Sequence, residues 1–380
     1  MHRLIRLLAT LAAVIVVLVL LVRVFLGGGK RLEDRTAAPS LPASAIEKVA
    51  DLDYPPGNIA VSPEGRVFFS FHPDGKPPFA VAELVGGKPI PYPNLEFQKP
   101  EGGTPHFQSV LALRIDRQGR LWALDYANYA TGQPRILAFD LATNRLVDQY
   151  DFPSSVAGFL SMLNDFQVSP DGGTIYIAES SPIRQTPALI VYDVATRTSR
   201  RLLEDHPSLL PQGYVIQAPG RDMIVLGFYT LHIGVDTIAL DRTGEWLYYG
   251  PVNGARLFRI RTADLRDATL DPAILASRIE DYGPKPISDG GSTDDAGDVY
   301  LTDPEHGAVL TLGPDRTLRT LVKDPMLRWP DGLSFGPDGW LYVTCSALEN
   351  VLFVSNSTML AHAPFQIFRF RPGATAAPGH

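Results

Sequence analysis

Asn164, Asp236, Asp289 and Asp331 each stand eight positions before a glycine of a repeated turn, at Gly172, Gly244, Gly297 and Gly339. Gly57 and Leu111 hold the equivalent place before Gly65 and Gly119. Three of these side chains are carboxylates, and carboxylates gathered at one narrow opening repel. A bound cation, a shared proton or backbone N–H donors relieve that repulsion. Oxygen-only donors suit Ca²⁺, Mg²⁺ or Mn²⁺ rather than a soft metal. The structural alternative is that Asp before Gly at the start of a strand caps a loop and ties neighbouring repeats together.

The elements that must position these residues recur six times. Each copy is an alternating strand, a Pro/Asp/Gly-type turn and an apolar strand, as in 164–172 (NDFQVSPDG) followed by Ile175–Ala178. Successive turn glycines lie 54, 53, 72, 53 and 42 residues apart. A period of about fifty residues with several strands in each is the mark of a β-propeller. The sequence therefore predicts an all-β, six-bladed propeller with four-stranded antiparallel blades, over residues 46–371. The first strand of a blade lies innermost, so the four residues above form a ring at one end of the channel. Two segments, 46–51 and 366–371, are expected to join the sixth blade and close the circle, covering an edge that would otherwise pair with another chain. The long gap before the fourth copy, 202–234, reads as a face loop or lid.

The second strand of each blade returns to the ring end, and its exit loop surrounds the mouth. These loops supply His72, Tyr126, Asn128, Tyr129, Glu179, Asn253, Glu305, His306 and Ser346, and His232 precedes the fourth ring residue. Convergent polar groups at one concavity form the default site. The expected ligand-binding set is Asn164, Asp236, Asp289, Asp331, Tyr126, Asn128, Glu179, His232 and Asn253. The candidate catalytic groups are Asp236, Glu305 and His306, the last as general acid or base. There is no nucleotide-binding loop, zinc-spaced Cys/His set or Gly-x-Ser-x-Gly elbow. The single cysteine, Cys345, lies in an apolar strand and reads as a buried thiol; an internal disulfide is impossible.

The formal charge is −7 and no basic stripe occurs, which argues against nucleic acid as a partner. Residues 1–26 are apolar apart from a few polar positions and predict a hydrophobic helix, either a signal anchor or a cleaved signal peptide. Residues 27–45 read as a flexible tether and 372–380 as a disordered tail. The domain is expected to be exported. It is either membrane-anchored through the N-terminal segment, facing the periplasm or extracellular space, or secreted if that segment is removed. A monomer is expected.

Several motifs resemble the yellow/major royal jelly protein family: 121–125 (LWALD), 137–144 (LAFDLATN), 163–166 (LNDF), 246–251 (WLYYGP), 328–332 (RWPDG) and 361–370 (AHAPFQIFRF). The resemblance covers roughly residues 48–371. It implies a six-bladed propeller, secretion, and either binding of small aromatic amines at the channel mouth or a dopachrome-type isomerisation. A wider resemblance to gluconolactonase-like propellers implies a divalent metal held by a Glu from the first blade, an Asn from the third and an Asp from the fourth. Asn164 and Asp236 match the last two, whereas Gly57 and Asn58 stand where the Glu would be. The leading expectation is a propeller that binds a small organic molecule at the mouth, with or without converting it. The alternatives are a metal-dependent lactonase-like hydrolase and a protein-interaction scaffold.

Overall fold

The computed structural model describes residues 2–103 and 105–379. Six four-stranded antiparallel sheets follow one another around a central channel. Their inner strands are Pro56–Val61, Val110–Ile115, Leu163–Val168, Val235–Leu240, Gly291–Thr293 and Pro330–Phe335. The first strand turns into the second at Gly65, Gly119, Gly172, Gly244, Gly297 and Gly339, all with φ between 69° and 90°. A side chain is strained in that left-handed region, which is why glycine marks each turn.

The sheets are held together by apolar faces. Six clusters of buried side chains lie one between each pair of neighbouring blades. Between the second and third blades, for example, Trp122 and Leu124 pack with Phe166 and Ile175. Burying both faces of a sheet explains why the strands read as continuous apolar runs.

The sixth blade closes the circle. Its strands are Pro330–Phe335, Leu341–Cys345, the C-terminal Phe365–Phe370 and, outermost, the N-terminal Glu47–Leu52. Both chain ends thus supply strands to one sheet, as the terminal segments predicted.

The flanking segments pack against this body. The segment expected as a tether is laid along the protein: Arg35 donates to the carbonyls of Ala255 and Lys285 at 2.7 and 2.8 Å. Further on, Leu41 N–H donates to Leu321 O at 2.9 Å. The segment expected as a free tail lies across the far end of the channel. There Gly379 N–H donates to Phe335 O at 2.9 Å, and Asp295 N–H donates to Thr375 O at 2.7 Å. The helix His2–Leu26 stands outside the propeller, and its stretch Arg3–Phe25 is long and apolar enough to cross a membrane.

Candidate functional site

The inner strands do not run regularly at the ring end. Ladder register shifts between Pro56 and Ile59, Val110 and Ala112, Leu163 and Phe166, Val235 and Thr237, and Pro330 and Leu333. Every ring residue except Asp289 falls inside one of these bulges. A bulge re-aims its side chains, and in the first and third blades it offers the channel two consecutive residues, Gly57 with Asn58 and Asn164 with Asp165. Hydroxyls on the second strands stitch the irregular backbone. Ser70 Oγ accepts from Asn58 N–H at 3.0 Å and donates to Leu111 O at 2.5 Å. Thr344 Oγ1 does the same between Gly332 N–H and Gly57 O.

The ring residues do meet. Asn164, Asp236, Asp289 and Asp331 line one cavity of about 140 Å³ at the channel mouth, together with Asp165 from the same bulge as Asn164. Asn164 Nδ2 donates to Asp236 Oδ2 across the boundary between the third and fourth blades. Trp329 Nε1 donates to Asp289 Oδ2 at 2.6 Å. Beneath the ring, the buried Arg114 bridges Asn58 Oδ1 at 2.5 Å and Asp165 Oδ2 at 2.8 Å. Arg114 thus pairs with one of four crowded carboxyls, Asp165, and the electrostatics follow. Burial pushes Asp236 and Asp331 well above the ordinary carboxyl range, and Asp289 pushes both further. Burial also raises Asp165, against the pull of Arg114. Asp289 is raised by burial, while the Trp329 hydrogen bond opposes the shift. Asp289 stands close enough to Asp236 to raise it, and carboxyls so placed favour one shared proton over two charges. His72 lines the same cavity and is lowered by burial, so the neutral ring is favoured.

The upper walls are apolar. Leu231 and Ile233 come from the inserted segment; Leu348, Leu352 and Phe353 come from the sixth-blade exit loop; Met162, Tyr129 and Pro182 add to them, and Asp74 is the one charged side chain at the rim. The insert, expected as a lid, forms two small hairpins, Gln217–Ala218 with Arg221–Asp222 and Ile224–Val225 with Tyr229–Thr230. Arg221 ties it to the opposite wall by donating to the carbonyls of Glu349 and Leu352, each at 2.9 Å.

The other expected site residues stand elsewhere. Tyr126 is buried behind the wall, its ring edge-on to Tyr129 at 5.3 Å, and Asn128 is exposed away from the cavity. Glu179 is fully buried and paired with Arg201 at 2.8 Å. Asn253 is a positioning residue: its Oδ1 accepts from Ile233 N–H at 2.7 Å, and its Nδ2 donates to Leu231 O at 2.9 Å. His232 turns to Tyr229 and is lowered by burial, while its chain neighbours line the cavity. Glu305 and His306 belong to a separate group with Asp303. His306 Nδ1 meets Asp303 Oδ2 at 2.9 Å, and Glu305 accepts from Gln217 N–H of the insert at 2.6 Å. Burial raises Glu305 to about 7. The insert and the N-terminal segment cover this exit loop, so neither residue lines the cavity. Cys345 is buried, and burial raises its thiol.

Three participants were not singled out as site residues from the sequence. Asn58 and Asp165 are the second members of their bulges, a place that strict alternation assigns to the blade interior. Arg114 had a visible signal, a lone charge in the apolar run Val110–Ile115, because a buried guanidinium demands acceptors.

The metal implied by the wider resemblance can be tested against these donors. Asn164, Asp236, Asp289 and Asp331 make an oxygen-only set that fits a hard divalent cation. The first blade adds no charge to it, since Asn58 is committed to Arg114.

Comparison with known proteins agrees with the architecture. The chain is 29% identical over 203 residues to major royal jelly protein 1 of Apis mellifera, covering 49% of this chain and 44% of that protein. It is 27% identical over 183 residues to major royal jelly protein 3 of the same organism, covering 45% of this chain and 32% of that protein. The matches thus span less than half of these curated relatives. Among solved structures, a putative gluconolactonase superposes with TM-score 0.57 at 14% identity, over 90% of this chain and 98% of that one. The calcium-binding protein regucalcin from Agrobacterium tumefaciens superposes with TM-score 0.54 at 16% identity, over 85% and 93%. At such identity the structural likeness carries the fold alone. The family model described as major royal jelly protein matches residues 108–362, from just before the second blade into the closing loop of the sixth. The chain belongs to the major royal jelly protein family.

Proposed function

We propose that this is an exported propeller that binds a small organic cation, an amine with an apolar body, in the cavity at the channel mouth. One observation carries the reading: Asp165, Asp236, Asp289 and Asp331 crowd one cavity under largely apolar walls, and Arg114 pairs with Asp165 alone of the four. An ammonium group placed among Asp236, Asp289 and Asp331 discharges the ring, and Tyr129, Leu231 and Leu352 take the apolar body. The apolar N-terminal helix supports export. The test is a thermal-shift series on the full chain with an arylethylamine and its neutral alcohol isostere. Ligand at about 100 times its dissociation constant adds about 2.7 kcal/mol of stability. Stabilisation by the amine alone, lost in Asp331→Asn, is expected; equal response to amine and alcohol overturns the cationic reading.

The donor set Asn164, Asp236, Asp289 and Asp331 favours a second reading, a metal-dependent hydrolase of lactone-like esters. A divalent cation held there would supply Lewis-acid polarisation of a carbonyl. Calorimetry with Ca²⁺, Mg²⁺ and Mn²⁺ on the native chain and Asn164→Ala decides it; absence of binding in the native chain excludes this reading.

A further inference from the structure

We propose that the cavity-bearing face of the propeller docks on the surface of a lipid bilayer. Three observations converge on that face. First, the apolar helix His2–Leu26 is rooted there. Its C-terminal neighbour Gly28 accepts at its carbonyl from Thr230 Oγ1 of the insert at 3.1 Å, and Lys30 N–H donates to Gly213 O at 2.8 Å. Second, Leu226, Phe159 and Phe353 are exposed by 78%, 69% and 57%. No other large apolar side chain outside the helix is as exposed among the described residues. Third, all three stand on loops at the mouth. Leu226 tips the hairpin between Ile224–Val225 and Tyr229–Thr230, Phe353 lines the cavity, and Phe159 precedes Met162, another lining residue.

Apolar side chains on separate loops of one face, held beside a helix of bilayer-spanning length, are the anchors of an interfacial surface. The helix keeps that face at high local concentration near the lipid, so weak insertion of each side chain suffices. The mouth then opens toward the headgroup layer, and its ligand arrives from the lipid phase as an amphiphile. This last step rests on the ligand-binding reading above; the docking itself does not.

The chain suits a direct test, because its only cysteine, Cys345, is buried. Phe159→Cys, Leu226→Cys and Phe353→Cys each carry an environment-sensitive fluorophore in the full chain, reconstituted in phosphatidylcholine/phosphatidylglycerol vesicles. Val85→Cys, at the opposite end of the first blade and exposed by 53% in the native chain, is the control. Emission at the three mouth positions is expected to shift to the blue. Spin-labelled acyl chains should quench it severalfold more than at Val85. Emission indistinguishable from the control at all three overturns the proposal. Hydroxyl-radical footprinting of the unsubstituted chain in the same vesicles checks the result without any substitution. Phe159 and Phe353 should be severalfold less modified than their exposure implies, relative to Val147 and Ile274; modification in line with exposure overturns docking, whatever ligand the cavity takes.

Discussion

Trp329, immediately before the inner strand of the sixth blade, donates its indole N–H to Asp289 of the fifth at 2.6 Å. The tryptophan is fully buried and held at φ 48°, a left-handed conformation that strains a bulky residue. Packing around it therefore over-determines its placement, and the indole fixes one carboxyl of the ring.

Trp329→Phe keeps most of the volume and removes the donor. Asp289, half-buried, then loses that partner, at a cost of about 1 kcal/mol. Its carboxyl, which the indole holds down, rises further and grips its proton. Urea unfolding should show the lower stability, and calorimetry should show weaker cation binding, with the larger deficit at lower pH.

The ring also makes stability depend on pH. Asp236 and Asp331 keep protons in the native state where unfolded carboxyls have lost theirs. The native state then binds more protons, so this contribution is most favourable below the unfolded value of about 3.9. It is lost as pH rises through the folded values. Lys285, lowered to about 7 by burial, and His72 act in the opposite sense. The carboxyl contribution is isolated by comparing the native chain with Asp236→Asn across a pH series of urea melts. The difference should grow with pH in favour of the variant and shrink when a cation ligand saturates the ring.

Arg114 is 1% exposed and pairs with Asp165, the carboxyl beside the ring, at 2.8 Å. Arg114→Met leaves Asp165 buried and uncompensated, which costs about 3–5 kcal/mol. Thermal melting should drop sharply, and adding Asp165→Asn should restore much of the loss. A non-additive pair of this kind is the signature of a direct contact.

Arg221 joins the insert to the exit loop of the sixth blade, and so couples two walls of the cavity. Arg221→Ala should leave the propeller core intact and change the melting temperature little. Ligand affinity should fall, mainly through faster dissociation, because the apolar walls lose their fixed spacing. Stopped-flow release of a bound fluorescent amine measures it.

Local signals carried the architecture. Each turn glycine predicted from the repeat has the left-handed φ that excludes other residues. The C-terminal strand was legible from its alternation of apolar and charged residues, because a strand with one wet face writes its period into the chain. The meeting of Asn164, Asp236, Asp289 and Asp331 followed from equivalence within the repeat, since equivalent positions of a closed ring face one axis. What exceeded one repeat was not legible. Glu305 and His306 lie away from the cavity because the insert and the N-terminal segment, far off in sequence, settle on their loop. The same holds for the pairing of Arg114 with Asn58 and Asp165, which spans three blades and depends on two bulges.

By itself, then, the amino-acid order determined the number of blades, their turns, their closure and the ring of oxygen donors. Each of these is written in a short period and repeated. Only the tertiary structure decided which walls cover that ring, which second-position side chains join it, and where the two ends of the chain come to rest. Those outcomes depend on contacts between segments that share no local pattern, and on bulges whose extra residue exchanges the inward and outward faces of a strand.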